Sequence, residues 1–157
     1  MVSEFDKWVF KIIDVISERS KCIHFKVGAV IIRDKTILST GYNGPPRGLA
    51  HCCDEDVGCN VEKHKGESND LKSNTGLCRG AHAEANAIVQ AAKNGTSIEG
   101  AIIYCNLKPC AYCLKLILNA GIKKIVYRYE YEDNVRDELL NEALEKNIIE
   151  IKKLSEL

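Results

Sequence analysis

Residues 82–127, HAEANAIVQAAKNGTSIEGAIIYCNLKPCAYCLKLILNAGIKKIVY, set the architecture. A helical pattern opens at His82 and runs through Lys93, where Asn94-Gly95 supplies a stop. Ala101 to Cys105 reads as a strand. Pro109 stands where a proline starts a helix, and Gly121 closes that helix at its far end. Ile122 to Tyr127 reads as the next strand. The same stretch carries chemistry. His82, Cys110 and Cys113 offer one imidazole and two thiolates, a ligand count that leaves the fourth tetrahedral position of a zinc ion to water. Cys110 and Cys113 are three apart at a helix start, so both face one way. The free N–H groups and dipole at that end favour thiolates. Glu84 lies two residues beyond His82 and is not needed to hold the metal, which makes it a proton carrier beside the water. Against this stand a structural zinc site or a fortuitous match, since C-x-x-C or H-x-E alone is a weak signal.

The flanks extend the alternation. Ser3 to Glu18 reads as a helix with Ser3 as N-cap and Trp8, Ile12, Val15 and Ile16 on one face. Val27 to Ile32 reads as a buried strand that turns at Asp34-Lys35 into a second, Thr36 to Tyr42. A charged amphipathic helix from about Val135 to Lys146 precedes a short strand at Ile148 to Ile151. Strands alternating with helices point to an α/β fold, a three-layer α/β/α sandwich in one domain spanning 1–157. One stretch, about 43–80, is polar and Gly-rich with little periodicity. Structureless loops this long are uncommon inside compact domains, so the expectation is that something orders this one or that it is mobile.

Lys plus Arg equals Asp plus Glu at 22 each, so bulk charge argues for no nucleic-acid partner. No apolar run approaches a membrane span, and Met1 to Lys11, with Glu4 and Asp6, does not read as a signal peptide. A cytoplasmic protein is expected. Eight cysteines in that compartment point to metal binding rather than disulfides.

The pattern H-x-E…P-C-x-x-C is that of the zinc nucleobase deaminases. Lys26-Val27-Gly28-Ala29-Val30, Gly41-Tyr42-Asn43-Gly44, His82 to Ile88, Pro109-Cys110-x-x-Cys113 and Ala120 to Lys124 together resemble the deoxycytidylate (dCMP) deaminases of the cytidine-deaminase-like superfamily. The likeness spans roughly residues 20 to 131. It implies a mixed five-stranded sheet between helices, and hydrolytic deamination of dCMP to dUMP and ammonia in pyrimidine nucleotide metabolism. Hydroxide would attack C4 of the cytosine, with Glu84 moving protons to N3 and to the leaving amine. The resemblance further implies a homo-oligomer, with dCTP and dTTP, accompanied by Mg2+, as candidate effectors.

The likeness also assigns Asn43 to the nucleoside, although the residues by themselves favour reading Asn43-Gly44 as a simple turn. Asn86 stands as a substrate contact or a structural hydrogen-bonder, and Tyr131 as a phosphate contact or ordinary packing. Two departures bear on the phosphate. Many relatives carry Arg where this chain has His24, and Thr where it has Asn106. Lys26, Arg47 and Lys93 are candidate replacements.

Several such deaminases bind a second, closed zinc. The resemblance suggests Cys22, Cys52, Cys59 and Cys78 as its ligands, organising the long insertion. Cys53 competes with Cys52, and His24, His51 or His64 could replace one ligand; free thiols in a loop are the alternative. Cys105 reads as a buried apolar residue. Two other functions compete: another zinc nucleobase deaminase, acting on transfer-RNA adenosine or on guanine, and a non-catalytic zinc-stabilised interaction module. The intact Glu84 argues against the module, which has no use for a proton carrier.

Overall fold

The strand residues alternate between two apolar layers, as the period of a pleated strand requires. In the computed structural model, which describes residues 2–63 and 78–154, Ala29, Ile31, Ile103, Cys105, Ile125 and Tyr127 enter one core. Val30, Ile32, Tyr104 and Val126, their sequence neighbours, enter the other. The five strands are β1 (Gly28–Arg33), β2 (Thr36–Tyr42), β3 (Ile102–Leu107), β4 (Lys124–Tyr129) and β5 (Glu150–Lys153), in the order β2-β1-β3-β4-β5. β1 is antiparallel to both β2 and β3, while β3, β4 and β5 run parallel. The mixed five-stranded sheet is therefore present.

Helix α1 (Glu4–Ser17) covers one face, and α3 (Ala83–Lys93), α4 (Ala111–Asn119) and α5 (Asn134–Glu145) cover the other. Ser3 caps α1 in a reciprocal box: its hydroxyl accepts from Asp6 N–H while the Asp6 carboxylate accepts from Ser3 N–H. Burial pushes the Asp6 carboxyl up, but hydrogen bonds from Ser3 and from the Tyr104 hydroxyl at 3.0 Å outweigh it and hold the group below its ordinary value. The turn Asp34-Lys35 has φ of 51° and 60°, the left-handed pair whose twist suits a two-residue hairpin.

The face expected for α1 needs correction. Trp8 and Val15 are exposed, and the fully buried residues are Val9, Phe10 and Ile13. The segment WVFKIIDVIS carries two adjacent apolar stripes. The one that wins packs Phe10 edge-on against Tyr104 at a centroid separation of 6.0 Å. The strands expected at 101–105, 122–127 and 148–151 each lie one or two residues further along. Ala101, Ile122 and Ile149 are buried, but in the connections that lead into the strands. A short helix α2 (Asn60–Lys63) stands in the stretch that showed no periodicity. Residues 64–77 of that insertion, His64 among them, lie outside the described residues.

Candidate active site

His82 and Cys110 each occupy the N-cap of a helix, α3 and α4, and neither side chain caps its own helix. Both side chains are thus free for another partner, at a point where two helix N-termini meet. β3 connects the two helices, so the antiparallel and parallel pairings on its flanks determine where the termini converge. The His82 Nδ1 atom lies 3.4 Å from Cys110 Sγ and 3.4 Å from Cys113 Sγ. All three ligand atoms fall within 4.8 Å of one another. Tetrahedral zinc, with bonds of about 2.0 Å to nitrogen and about 2.3 Å to sulfur, places N and S roughly 3.5 Å apart. The residues therefore fit a zinc ion, and among the described residues no fourth side chain joins the group. Cys110 is held down to about 4, first by the hydrogen bond from Cys113, with His82 adding to the effect. The same contact pushes Cys113 up.

Glu84, in the first turn of α3, is 4% exposed, and its Oε2 atom lies 3.6 Å from Cys113 Sγ. Burial pushes its carboxyl pKa up, which favours a group able to hold a proton. Cys105 is fully buried in the core, as expected.

The expected substrate contacts turn out to do structural work as well. Asn43 lines the cavity beside Glu84, yet both ends of its amide are engaged: Oδ1 accepts from Val27 N–H at 2.9 Å and Nδ2 donates to Phe25 O at 2.8 Å. Asn106 mirrors it from β3, with Oδ1 accepting from Gly28 N–H at 3.0 Å and Nδ2 donating to Lys26 O at 2.9 Å. The two amides clamp residues 25–28 from either side and set Phe25 and Val27 on the cavity wall. Asn86 donates to Tyr42 O at 2.8 Å, tying α3 to the end of β2, and it is not among the residues that line the cavity. Tyr131 does line it, edge-on to Phe25.

The cavity, about 120 Å3, is lined by Glu84 and also by Cys22, Cys52, Cys59 and Cys78. Burial pushes the Cys52 thiol up, and the neighbouring Cys59 and Cys22 add to it. Cys22 Sγ accepts from the N–H groups of His24 and Phe25, and Cys78 Sγ from that of Gly80. Among the described residues no three of these thiols close to within 4.8 Å.

Sequence reading missed the support beneath the metal turn. Asp133 caps α5 by accepting from Arg136 N–H at 2.9 Å, and its other oxygen accepts from Ala111 N–H at 2.7 Å, in the first turn of α4. Arg136, 2% exposed, donates to Pro109 O at 3.1 Å. An Asp two residues before Val135 was the available N-cap signal.

Residues 3–129 match the family model for the cytidine and deoxycytidylate deaminase zinc-binding region. Deoxycytidylate deaminase of Enterobacteria phage T4 is 40% identical over 151 residues, covering 80% of this chain and 78% of that protein. ComE operon protein 2 of Bacillus subtilis is 40% identical over 118 residues, covering 75% of this chain and 56% of that one. The crystal structure of dCMP deaminase from cyanophage S-TIM5, in complex with dCMP and dUMP, superposes with a TM-score of 0.71 at 32% identity, covering 98% of this chain and 99% of that one. With the matched region taking in the ligands at both helix N-termini and the carboxylate between them in sequence, this chain is a member of the cytidine and deoxycytidylate deaminase family.

Proposed function

We propose that the protein catalyses zinc-dependent hydrolytic deamination of dCMP to dUMP and ammonia. The observation that carries this is the buried Glu84 beside an open three-ligand group at the foot of a cavity. The names of the T4 and S-TIM5 relatives support the choice of substrate. When bound, zinc supplies a Lewis acid that brings the pKa of water down to about 7. His82, Cys110 and Cys113 would hold it. Glu84 takes the proton of the attacking water and returns it to N3 of the ring. It then moves the hydroxyl proton at C4 to the amine, the C4–N bond breaks, and ammonia leaves. Asn43, in clamping residues 25–28, keeps Phe25 and Val27 in the lining of the cavity where the nucleoside would lie, and Tyr131 packs edge-on to Phe25 in the same lining. Asn86 contributes by holding the end of β2 against α3.

Ammonia release measured over dCMP, CMP, deoxycytidine, dCTP, guanine and a single-stranded oligonucleotide tests the reading. The expected result is the highest kcat/KM with dCMP. Activity confined to guanine or to the oligonucleotide would remove the assignment. The reading extends, on the family likeness, to a cytoplasmic homo-oligomer with dCTP and dTTP, carried with Mg2+, as effectors.

The proposal includes a second, structural zinc held by Cys22, Cys52, Cys59 and Cys78 within a single domain. Their place in the lining of one cavity, the nearness of Cys59, Cys22 and Cys78 to Cys52, and the backbone N–H groups aimed at Cys22 and Cys78 support it, since such donors stabilise thiolates. Purified protein should carry about two zinc ions per chain by this ligand count. Cys59→Ser should remove one equivalent and leave the other. One equivalent in the parent protein, unchanged by the substitution, would refute the second site.

A further inference from the structure

We infer that Arg79 is the residue that recognises the substrate's phosphate, and so sets the preference for a nucleotide over a nucleoside. The inference rests on the cytosine-nucleotide reading above. The replacements expected from sequence, Lys26, Arg47 and Lys93, are not among the described residues lining the cavity. The cationic or protonatable side chains that do line it, apart from the ligand His82, are Lys21, His24, His51, Arg79 and Lys108. Two of these are already engaged by carboxylates. His24 Nε2 lies 3.0 Å from Glu62 Oε1. Lys108 Nζ lies 3.4 Å from Glu130 and 3.7 Å from Asp137, and sits over the Tyr127 ring.

Arg79 differs from them in one respect. Its Nε atom is buried and meets no hydrogen-bond partner among the described residues. A buried donor left unmet is costly, and Arg128, whose Nε is likewise unmet, differs in having its guanidinium paired with Asp14. A phosphate monoester presents acceptor oxygens in a geometry that matches the planar fork, which lysine lacks. The position suits the role. Arg79 stands three residues before the ligand His82, a chain distance of at most ~10 Å. The segment between them is pinned to the cavity rim by paired backbone hydrogen bonds between Ala81 and Gly44, at 2.7 and 3.1 Å. Arg79 and Glu84 line one cavity, the one in which a nucleotide with its C4 beside Glu84 would lie.

The test compares the zinc-loaded parent protein with Arg79→Gln and Arg79→Lys. Binding of dUMP and of deoxyuridine is followed by titration calorimetry, and zinc content is measured on every sample. Arg79→Gln should weaken dUMP binding on the order of tenfold to a hundredfold, as loss of a charge-assisted hydrogen bond does. Deoxyuridine affinity should stay within about twofold, because no phosphate is present to lose a partner. Arg79→Lys keeps the charge without the fork and should fall between the two. With dCMP as substrate, KM should rise more than kcat falls. Parallel weakening of dUMP and deoxyuridine, or no change in either, would overturn the phosphate role and leave the deaminase reading intact. A parent protein that releases ammonia from neither dCMP nor deoxycytidine would overturn the reading beneath it.

Discussion

Glu84→Gln should retain zinc and lose turnover by at least about 10³-fold, within the range that a positioned acid–base group contributes. The substitution preserves the shape of the side chain and removes its ability to carry a proton. Because the three ligand atoms are supplied by His82, Cys110 and Cys113, metal content should remain at the parent level. Affinity for dUMP should also persist, since binding of the product needs no proton transfer. The effect should therefore fall on kcat, with KM little changed. Zinc analysis together with steady-state ammonia release provides the check. Turnover within tenfold of the parent enzyme would assign the proton transfers to another group.

Gly41→Ala should unfold or severely destabilise the protein although the residue touches no chemistry. A Cβ on Gly41 would lie 2.2 Å from Ala83 O and 2.5 Å from Ala87 N. Both are backbone atoms of α3, so no side-chain rotation can relieve the clash. The helix approaches β2 this closely because Ala83, Ala87 and Ala91 present small side chains to the sheet. The Ser39 hydroxyl also donates to Ala87 O at 2.7 Å. Overpacking of a core costs typically about 1–3 kcal/mol, and a rigid backbone contact places this case at or above the upper end. At about 2–4 °C per kcal/mol for a domain of this size, the melting temperature should fall by roughly 10 °C. Displacing α3 also displaces His82 and Glu84, so zinc affinity should fall in step. Gly44→Ala is the control: its added Cβ would meet nothing closer than 3.9 Å, and its melting temperature should stay near that of the parent protein. A Gly41→Ala protein as stable as this control would show that α3 can move without cost.

The parts of the site that were legible in sequence are those whose geometry is local. Cys110 and Cys113 share one helical turn, so their spacing alone aims both thiols one way once the helix forms, while Glu84 was legible from the H-x-E pattern at the start of α3. The Ser3 cap, the turn at Asp34-Lys35 and the stops after α3 and α4 are likewise local. The strand shifts have a common cause. Apolar residues mark burial, and burial begins in the connection before the backbone ladder does, as Ala101, Ile122 and Ile149 illustrate. Helix α2 escaped notice because four residues are too few to show a period.

Asn106 was read as a departure from its relatives, and its use as a clamp on residues 26 and 28 spans separations of 80 and 78 positions. No pattern in a short window carries that information. The same holds for Asp133 reaching Ala111 and for Arg136 reaching Pro109, at separations of 22 and 27. The two apolar stripes of α1 were distinguishable only by what the sheet presented to them. Local spacing and helix-end chemistry were thus enough to name the metal ligands and the alternation of helices and strands, because those depend on backbone periods and on single-turn contacts. Which amides brace the cavity wall, which arginine of the cavity lining holds an unmet donor and how near a helix lies to a glycine depend on segments distant in sequence, and only packing of the whole chain brings those together.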